Sequence, residues 1–511
     1  MHYRAAIDFL FSFLNYEVIS FEYRRDFNLK RMGLLLNWVG RPDREFTSIL
    51  IGGTNAKGSV TNFLSDLLRS SGQKTGMYTS PHLVSPRERI RLNGKMIPEK
   101  KFAKLVTKLK SVIEKKRKET GALGPITFFE MFTLLAILYF AEEKVRFGVF
   151  EVGMGGRLDA TNILNAALTI LTPIDLDHEK HLGKTVTQIA LEKAALIKPR
   201  GQVVIGHQNP DALRVISREL KQKKATGFFL GKEFKSKNKK ITATGSSFDF
   251  SMNEISVKGL NIKLPGRHQI DNAACAIAAV KVLYGQDLVR ANEIDFDASL
   301  SPRPHKGERV RVRGNLTAQL CHPEQREGSS VWRKLHERSE IIDPSTFACM
   351  AGLRMTKASK IRYSLANSFW PGRFEIVKRG SQTIILDGAH NEHAMRKFSN
   401  TVRKFFPLEK KIVMFGISRD KNITRVLASL CQIADCVIAT KSQNSRAREP
   451  KLILEELNRL HFKKQTFWAP NLKEAIQIAD SLESRKSILL VTGSLFLIGE
   501  AREFFKCRQF V

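Results

Sequence analysis

The chain has 511 residues, with a hydrophobic fraction of 42% and a charged fraction of 26%, the balance of a soluble globular protein with more than one core. No apolar run approaches the roughly 20 residues that a membrane-spanning helix needs. The six cysteines form no Cys-x-x-Cys pair, which argues against a disulfide framework and suits a reducing cytoplasm. A formal net charge of +34 admits nucleic acid or a polyanionic small substrate as partner, but no helix-turn-helix, zinc-finger or RNA-recognition signature accompanies it.

In chain order, Met1–Leu14 carries Arg4 and Asp8 among its apolar residues and lacks a small-residue cleavage site, so it is expected to be an amphipathic helix, not a signal peptide. Phe46–Ile51 is an apolar strand. Val60, Phe63, Leu64, Leu67 and Leu68 recur at helical spacing until Gly72. The basic run Lys108–Lys118 reads as the solvated face of a helix. Phe128–Ala141 is expected as a buried helix, Phe147–Val152 and Ala167–Leu171 as strands, Thr185–Ile197 as a helix and Val203–Ile205 as a strand. This alternation predicts a mostly parallel sheet covered by helices. Residues 241–265 suggest a small antiparallel patch, and Asp271–Leu283 is a helix. A second, smaller α/β unit starts near Arg373, with strands at Thr383–Leu386, Lys411–Phe415, Cys436–Thr440 and Ile488–Val491. Helices are expected through Phe406 and near 423–434, 452–460 and 471–482. Cys431 and Cys436 read as core residues, since structural zinc needs more ligands than this pair.

Residues 300–359 lose all periodicity and are rich in Pro, Arg, Ser and His. Asp297-Ala298-Ser299 would run directly into Lys360, and Ala358-Ser359 half repeats that tripeptide. The organisation expected is therefore a domain over 1–299, an inserted segment over 300–359 and a domain over 360–511, long insertions being tolerated at surface sites. Within the insert, Cys321, His322, His336 and Cys349 could suggest a metal site, but disorder is the expectation.

Gly52-Gly53-Thr54-Asn55-Ala56-Lys57-Gly58-Ser59 sits between a strand and a helix. Glycines let successive N–H groups face an anion, and a helix N-terminus adds its positive end. Lys57 is placed to reach β/γ-phosphates, and Ser59 to support phosphate or metal. The Lys-Gly-Ser order departs from the general phosphate-loop pattern, Gly-Lys-Ser. Glu151 ends an apolar strand, so its carboxylate is expected at the sheet's C-terminal edge, where α/β folds bind ligands.

This loop resembles the Gly-Thr-Asn-Gly-Lys-Gly-Ser loop of the Mur ligase superfamily, and of its folylpolyglutamate synthase/dihydrofolate synthase family in particular. The resemblance continues in order through Tyr78-Thr79-Ser80-Pro81-His82-Leu83, Glu88-Arg89-Ile90-Arg91 and the run Glu151–Asn162. It extends through Asp177-His178, Glu192-Lys193-Ala194, Gly266-Arg267-His268-Gln269 with Asn272, Trp370–Glu375 and Asp387-Gly388-Ala389-His390-Asn391. It implies a two-domain ligase, with an N-terminal ATP-binding domain and a smaller C-terminal Rossmann-like one. The implied reaction adds L-glutamate to a folate-type carboxylate through an acyl phosphate, with ATP as co-substrate and Mg2+ as cofactor.

The resemblance also implies the site. Asn55, Ala56, Lys57, Gly58, Ser59, Asn272, Arg373 and Asp387 would hold ATP, and Ser80, Glu151 and His178 the metal. Lys57, Lys193, His178 and Asp159 form the catalytic set, with Lys193 carbamylated. From the residues alone, His178 reads as a core histidine and Lys193 as an exposed helical lysine. Asp26, Phe27, Phe128, Phe129 and Arg157 are expected around the folate, although core packing suits the phenylalanines of 128–129 equally well. His390 and Ser494 are expected near the incoming glutamate. A cytoplasmic monomer with small-molecule substrates and neither nucleic acid nor membrane as partner follows. The competing expectations are another Mur-type ligase of cell-wall precursors, a basic nucleic-acid-binding NTPase, and a degenerate member that binds nucleotide without turnover. Ala56 stands where the family has glycine.

Overall fold

A computed structural model describes residues 1–17, 23–120, 124–284, 357–484 and 486–507. The first sheet comprises β1 (Thr47–Gly52), β2 (Thr75–Tyr78), β3 (Ile90–Leu92), β4 (Lys95–Met96), β5 (Phe147–Glu151), β6 (Leu168–Leu171), β7 (Gln202–Ile205) and β8 (Thr226–Phe229), in the order β4-β3-β2-β5-β1-β6-β7-β8. β1 lies between β5 and β6 and is parallel to both. Its Ile49, Leu50 and Ile51 are all buried, because a central parallel strand is covered on both faces and therefore reads as a continuous apolar run. The chain leaves β1 toward one side and returns on the other. Its carboxyl ends therefore open at a switch in strand order, where such sheets bind ligands.

On one face lies the helix Phe128–Glu142, buried along nearly its whole length. Its N-terminus is closed by a capping box between Thr127 and Glu130, and Glu130 also accepts from Arg31 Nε at 2.8 Å. The opposite face carries the phosphate-loop helix Lys57–Ser70 packed on the helix Arg267–Tyr284. Behind these stands an antiparallel sheet of β9 (Phe234–Thr242), β10 (Gly245–Met252) and β11 (Ile255–Ile262). This patch begins earlier than expected, because the lysines of β9 face solvent and hide the strand inside a charge run. Met1–Leu14 contains the helix Tyr3–Phe11, and the basic run lies on the helix Glu99–Thr120.

The second sheet has β12 (Glu375–Arg379), β13 (Gln382–Asp387), β14 (Lys410–Phe415), β15 (Cys436–Ala439), β16 (Gln465–Trp468) and β17 (Ser487–Thr492), ordered β12-β13-β17-β14-β15-β16. Only β12 pairs antiparallel. Apolar clusters cover both faces. The short strands β2, β3, β4, β8, β12 and β16 and the helix Pro210–Gln222 were not expected.

The expected insert lies outside the described residues except for its last three. These open the helix Lys357–Asn367, which packs on β11 and the phosphate-loop helix. Cys275, Cys431, Cys436 and Cys507 are free thiols. No helix among the described residues is long and apolar enough to cross a membrane.

Candidate active site

The phosphate loop is stitched to the segment that follows β6. Thr54 and Asn55 donate their N–H groups to Pro173 O, while Thr172 Oγ1 donates to Asn55 O at 2.7 Å. Thr172 presses so close that a Cβ on Gly53 would meet its hydroxyl at 1.9 Å, and Gly53 adopts φ +143°. Only glycine fits there. Ala56, at the helix N-cap, has φ 71°, left-handed backbone that costs a residue with a Cβ about 1 kcal/mol.

Lys57 curls back over this loop, donating to Gly53 O and Thr54 O at 3.2 Å each. Lys193, on the helix Val186–Ala194, donates to the same Gly53 O at 2.9 Å. It is 5% exposed, so the solvent-facing alternative does not hold. Burial, reinforced by the Lys57 charge, lowers its pKa to about 7.

At the end of β5, Glu151 accepts from Ser80 N at 3.2 Å. Burial raises its pKa to about 6, against the pull of Lys57 and Arg373. Asp159 accepts from Thr161 Oγ1 at 2.6 Å and from Met154 N at 3.0 Å, which fixes it beneath the glycine turn. Asn272 donates to Gln269 Oε1 at 3.0 Å.

The second sheet closes the site. Asp387, at the end of β13, accepts from Phe374 N and Ala389 N at 2.8 and 2.9 Å, beside Arg373. His390 Nδ1 lies 2.7 Å from Gly388 O; a proton on Nδ1 leaves Nε2 as an acceptor, and burial holds its pKa near 4. Ser494 is the N-cap of the helix Leu495–Phe504. Three further contacts bridge the two sheets. Lys421 Nζ donates to Asp177 Oδ1 at 2.7 Å, Asn391 Nδ2 to Asn55 Oδ1 at 2.9 Å, and His393 Nδ1 lies 2.7 Å from Asp175 Oδ2. His178, next to Asp177, has its Nε2 3.4 Å from Lys421 Nζ; burial and that cation keep the imidazole neutral, with a pKa near 3.

One cavity of about 840 Å³ gathers these groups. Its wall includes Asn55, Ala56, Lys57, Gly58 and Ser59, with Ser80, Glu151, Asp159, His178, Lys193 and Asn272, and from the second sheet Arg373, Asp387, His390 and Ser494. Phe27 and Phe129 line it as well.

Three expected residues stand elsewhere. Phe128 is 1% exposed and packs on Phe11 and Phe132, with ring centroids 4.9 and 4.6 Å away. One residue is a large turn on a helix, so Phe129 reaches the cavity and Phe128 the core. Arg157 turns outward and pairs with Glu192 at 3.3 Å. Asp26 is off the wall; its backbone O accepts from Arg31 Nη2. The expectation named no role for Lys421, Asn391 or Asp177. Asp177 and Asn391 sat inside recognisable motifs, whereas Lys421 carried no local signal.

Two family models match the chain: the Mur ligase middle domain over residues 51–280 and the Mur ligase glutamate ligase domain over residues 372–495. The chain is 28% identical to the dihydrofolate synthase/folylpolyglutamate synthase of Bacillus subtilis, covering 94% of this chain and 95% of that protein. It is similar in structure to Mycobacterium tuberculosis folylpolyglutamate synthase complexed with ADP and AMPPCP, with a TM-score of 0.76, 27% identity and coverage of 94% and 96%. It is also similar to folylpolyglutamate synthase from Thermotoga maritima, with a TM-score of 0.72, 28% identity and coverage of 100% and 98%.

Proposed function

This chain belongs to the Mur ligase superfamily, in its folylpolyglutamate synthase/dihydrofolate synthase branch, and from that premise we propose how its cavity performs ATP-dependent ligation of L-glutamate to a folate-type carboxylate. The observation that carries this reading is the convergence of Lys57 and Lys193 on the phosphate loop, facing Arg373 and His390 of the second sheet across one cavity.

ATP lies with its phosphates on the N–H groups of Lys57, Gly58 and Ser59 at the helix N-terminus. Asn272, Arg373 and Asp387 hold its remainder, Arg373 through its planar fork of N–H donors. The acceptor carboxylate attacks the γ-phosphorus, the bond to the bridging oxygen breaks, and ADP leaves. Lys57 offsets the charge on the phosphoryl oxygens. The neutral amine of glutamate then attacks the acyl carbon, the C–O bond to phosphate breaks, and the proton lost by nitrogen leaves with the phosphate as the amide forms. His390, with Nε2 free to accept, and Ser494 orient that amine. The bridging contacts of Lys421, Asn391 and His393 keep the sheets closed, excluding water that would hydrolyse the acyl phosphate.

The donors for Mg2+ fit in part. Glu151 is a buried carboxylate that no ion pair reaches among the described residues, with the Ser80 N–H donating to it, and hard oxygens are what the ion prefers. Among the described residues no three His, Cys, Asp or Glu form a metal cage. His178 joins this set only with Lys421 turned away from its ring. Bound there, the ion would neutralise phosphate charge.

Lys193 is suited to carbamylation. A pKa of about 7 leaves much of its amine neutral, and neutral nitrogen can attack carbon dioxide, losing a proton as the N–C bond forms. The resulting anion turns the repulsion from Lys57 into attraction.

The purified protein, given MgATP, labelled glutamate and either dihydropteroate or a reduced folate, is expected to incorporate label into the acceptor. Testing each acceptor separately tells dihydrofolate synthesis from polyglutamylation. Phosphate release with no incorporation, stimulated by RNA instead, would overturn the reading.

A further inference from the structure

Trp370 lies between the helix Lys357–Asn367 and β12, and its indole rests on the phosphate-loop helix. A Cβ on Gly58 would meet the ring at 3.0 Å, at both Cζ2 and Nε1. Glycine is a poor helix former, yet it stands second in the helix Lys57–Ser70, where the indole fills the space a side chain would need. The Arg91 guanidinium lies over the same ring, 5.4 Å from its centroid, and is itself buried. Four residues further along the helix, on the same face, Asn62 Nδ2 donates to Ser368 Oγ at 2.8 Å and to Phe369 O at 3.3 Å. The stretch from Ser368 to Trp370 is therefore laid along the helix whose N-terminus forms the phosphate loop.

Three residues after Trp370 stands Arg373, on the cavity wall. The turn between them has little freedom. Pro371 fixes its own φ, and Gly372, at φ 65°, donates its N–H to Glu375 Oε2 at 2.8 Å and accepts from Gly388 N at 2.9 Å. One end of this short segment thus touches Gly58 and the other presents Arg373 to the cavity. A segment held so tightly passes a displacement at one end to the other.

We propose that Trp370 is a positioning residue that sets Arg373 against the nucleotide bound on the phosphate loop. Trp370 is off the cavity wall, so its effect on the nucleotide is exerted through Gly58 and Arg373. The placement of the nucleotide rests on the ligase reading above; the packing of the indole does not.

The test measures equilibrium binding of a non-hydrolysable ATP analogue and steady-state ligation on the full chain. Trp370→Leu should weaken analogue binding about ten-fold and lower kcat by a similar factor, with the KM values for glutamate and the folate acceptor within about two-fold of wild type. In an Arg373→Met background the same substitution should cost less than about two-fold, because the group it positions is gone. Trp370→Phe keeps part of the ring on Gly58 and should lose only about three-fold, again only while Arg373 is present. That variant decides the question should Trp370→Leu not fold. Equal losses in both backgrounds, or a lower melting temperature with unchanged analogue affinity, would overturn the proposal. Non-additive losses in binding without any glutamyl product would leave the assignment standing and overturn the ligase reading. Ligation with additive losses would do the reverse.

Discussion

Lys57 and Lys193 donate to one carbonyl oxygen, that of Gly53, at 3.2 and 2.9 Å. Two ammonium groups so close repel, and burial removes the water that would screen them. The fold thus holds Lys193 with a pKa near 7 instead of 10.5. Below about pH 7 the lysine is protonated in both folded and unfolded chains, and the folded state bears the full cost of burying the charge. As pH rises from about 7 toward 10.5 only the unfolded chain holds the proton, so that cost fades. Lys193→Met should therefore raise the melting temperature most below pH 7, with the gain shrinking on the alkaline side. Its ligase activity should fall by about 10²-fold. Thermal scans across pH, paired with initial rates, check both.

Ala56 tests the strain in the phosphate loop. Its φ of 71° is a conformation that glycine adopts freely, so Ala56→Gly should stabilise the chain by about 1 kcal/mol and tighten ATP binding several-fold. Denaturant titration and nucleotide binding measure the two; a loss of stability would mean that the loop's packing absorbs the strain.

The Lys421–Asp177 pair joins the sheets with side chains 10% and 9% exposed. Despite burial, Lys421 holds the Asp177 carboxyl well below its ordinary value of 3.8. A depressed carboxylate stabilises fully above its unfolded pKa, so the contribution should be complete at mildly acidic pH, begin to fade below about 4, and vanish only when the carboxyl protonates in the folded chain. Lys421→Met leaves Asp177 buried and unpaired, at a cost of about 3 kcal/mol. Adding Asp177→Leu should restore most of that stability without restoring ligation. A double-mutant cycle in melting temperature decides.

Phe128 and Phe129 are neighbours in sequence, one packed in the core and the other on the cavity wall. Phe128→Ala should cost about 3 kcal/mol of stability through the cavity it leaves, with the acceptor KM nearly unchanged. Phe129→Ala should do the reverse, raising that KM several-fold.

These residues also mark what sequence could reveal. The phosphate loop and Glu151 were legible because their cues are local: an apolar strand, a glycine turn, then a helix or a carboxylate. The helix at Phe128 is apolar on every side, so no face stands out, and only its packing separates residue 128 from 129. Arg157 follows the same glycine turn as Asp159 yet points to solvent. Asp177–Lys421 joins residues far apart in the chain, and no spacing rule announces such a pair. The strand β9 was hidden by its own lysines.

The most direct test of the central claim follows an oxygen atom. An acceptor whose reacting carboxylate carries heavy oxygen is turned over with MgATP and glutamate, and the released phosphate is analysed by mass spectrometry. Reaction through an acyl phosphate predicts one labelled oxygen in each phosphate formed, in step with glutamyl product. Unlabelled phosphate, its new oxygen drawn from water, would contradict it.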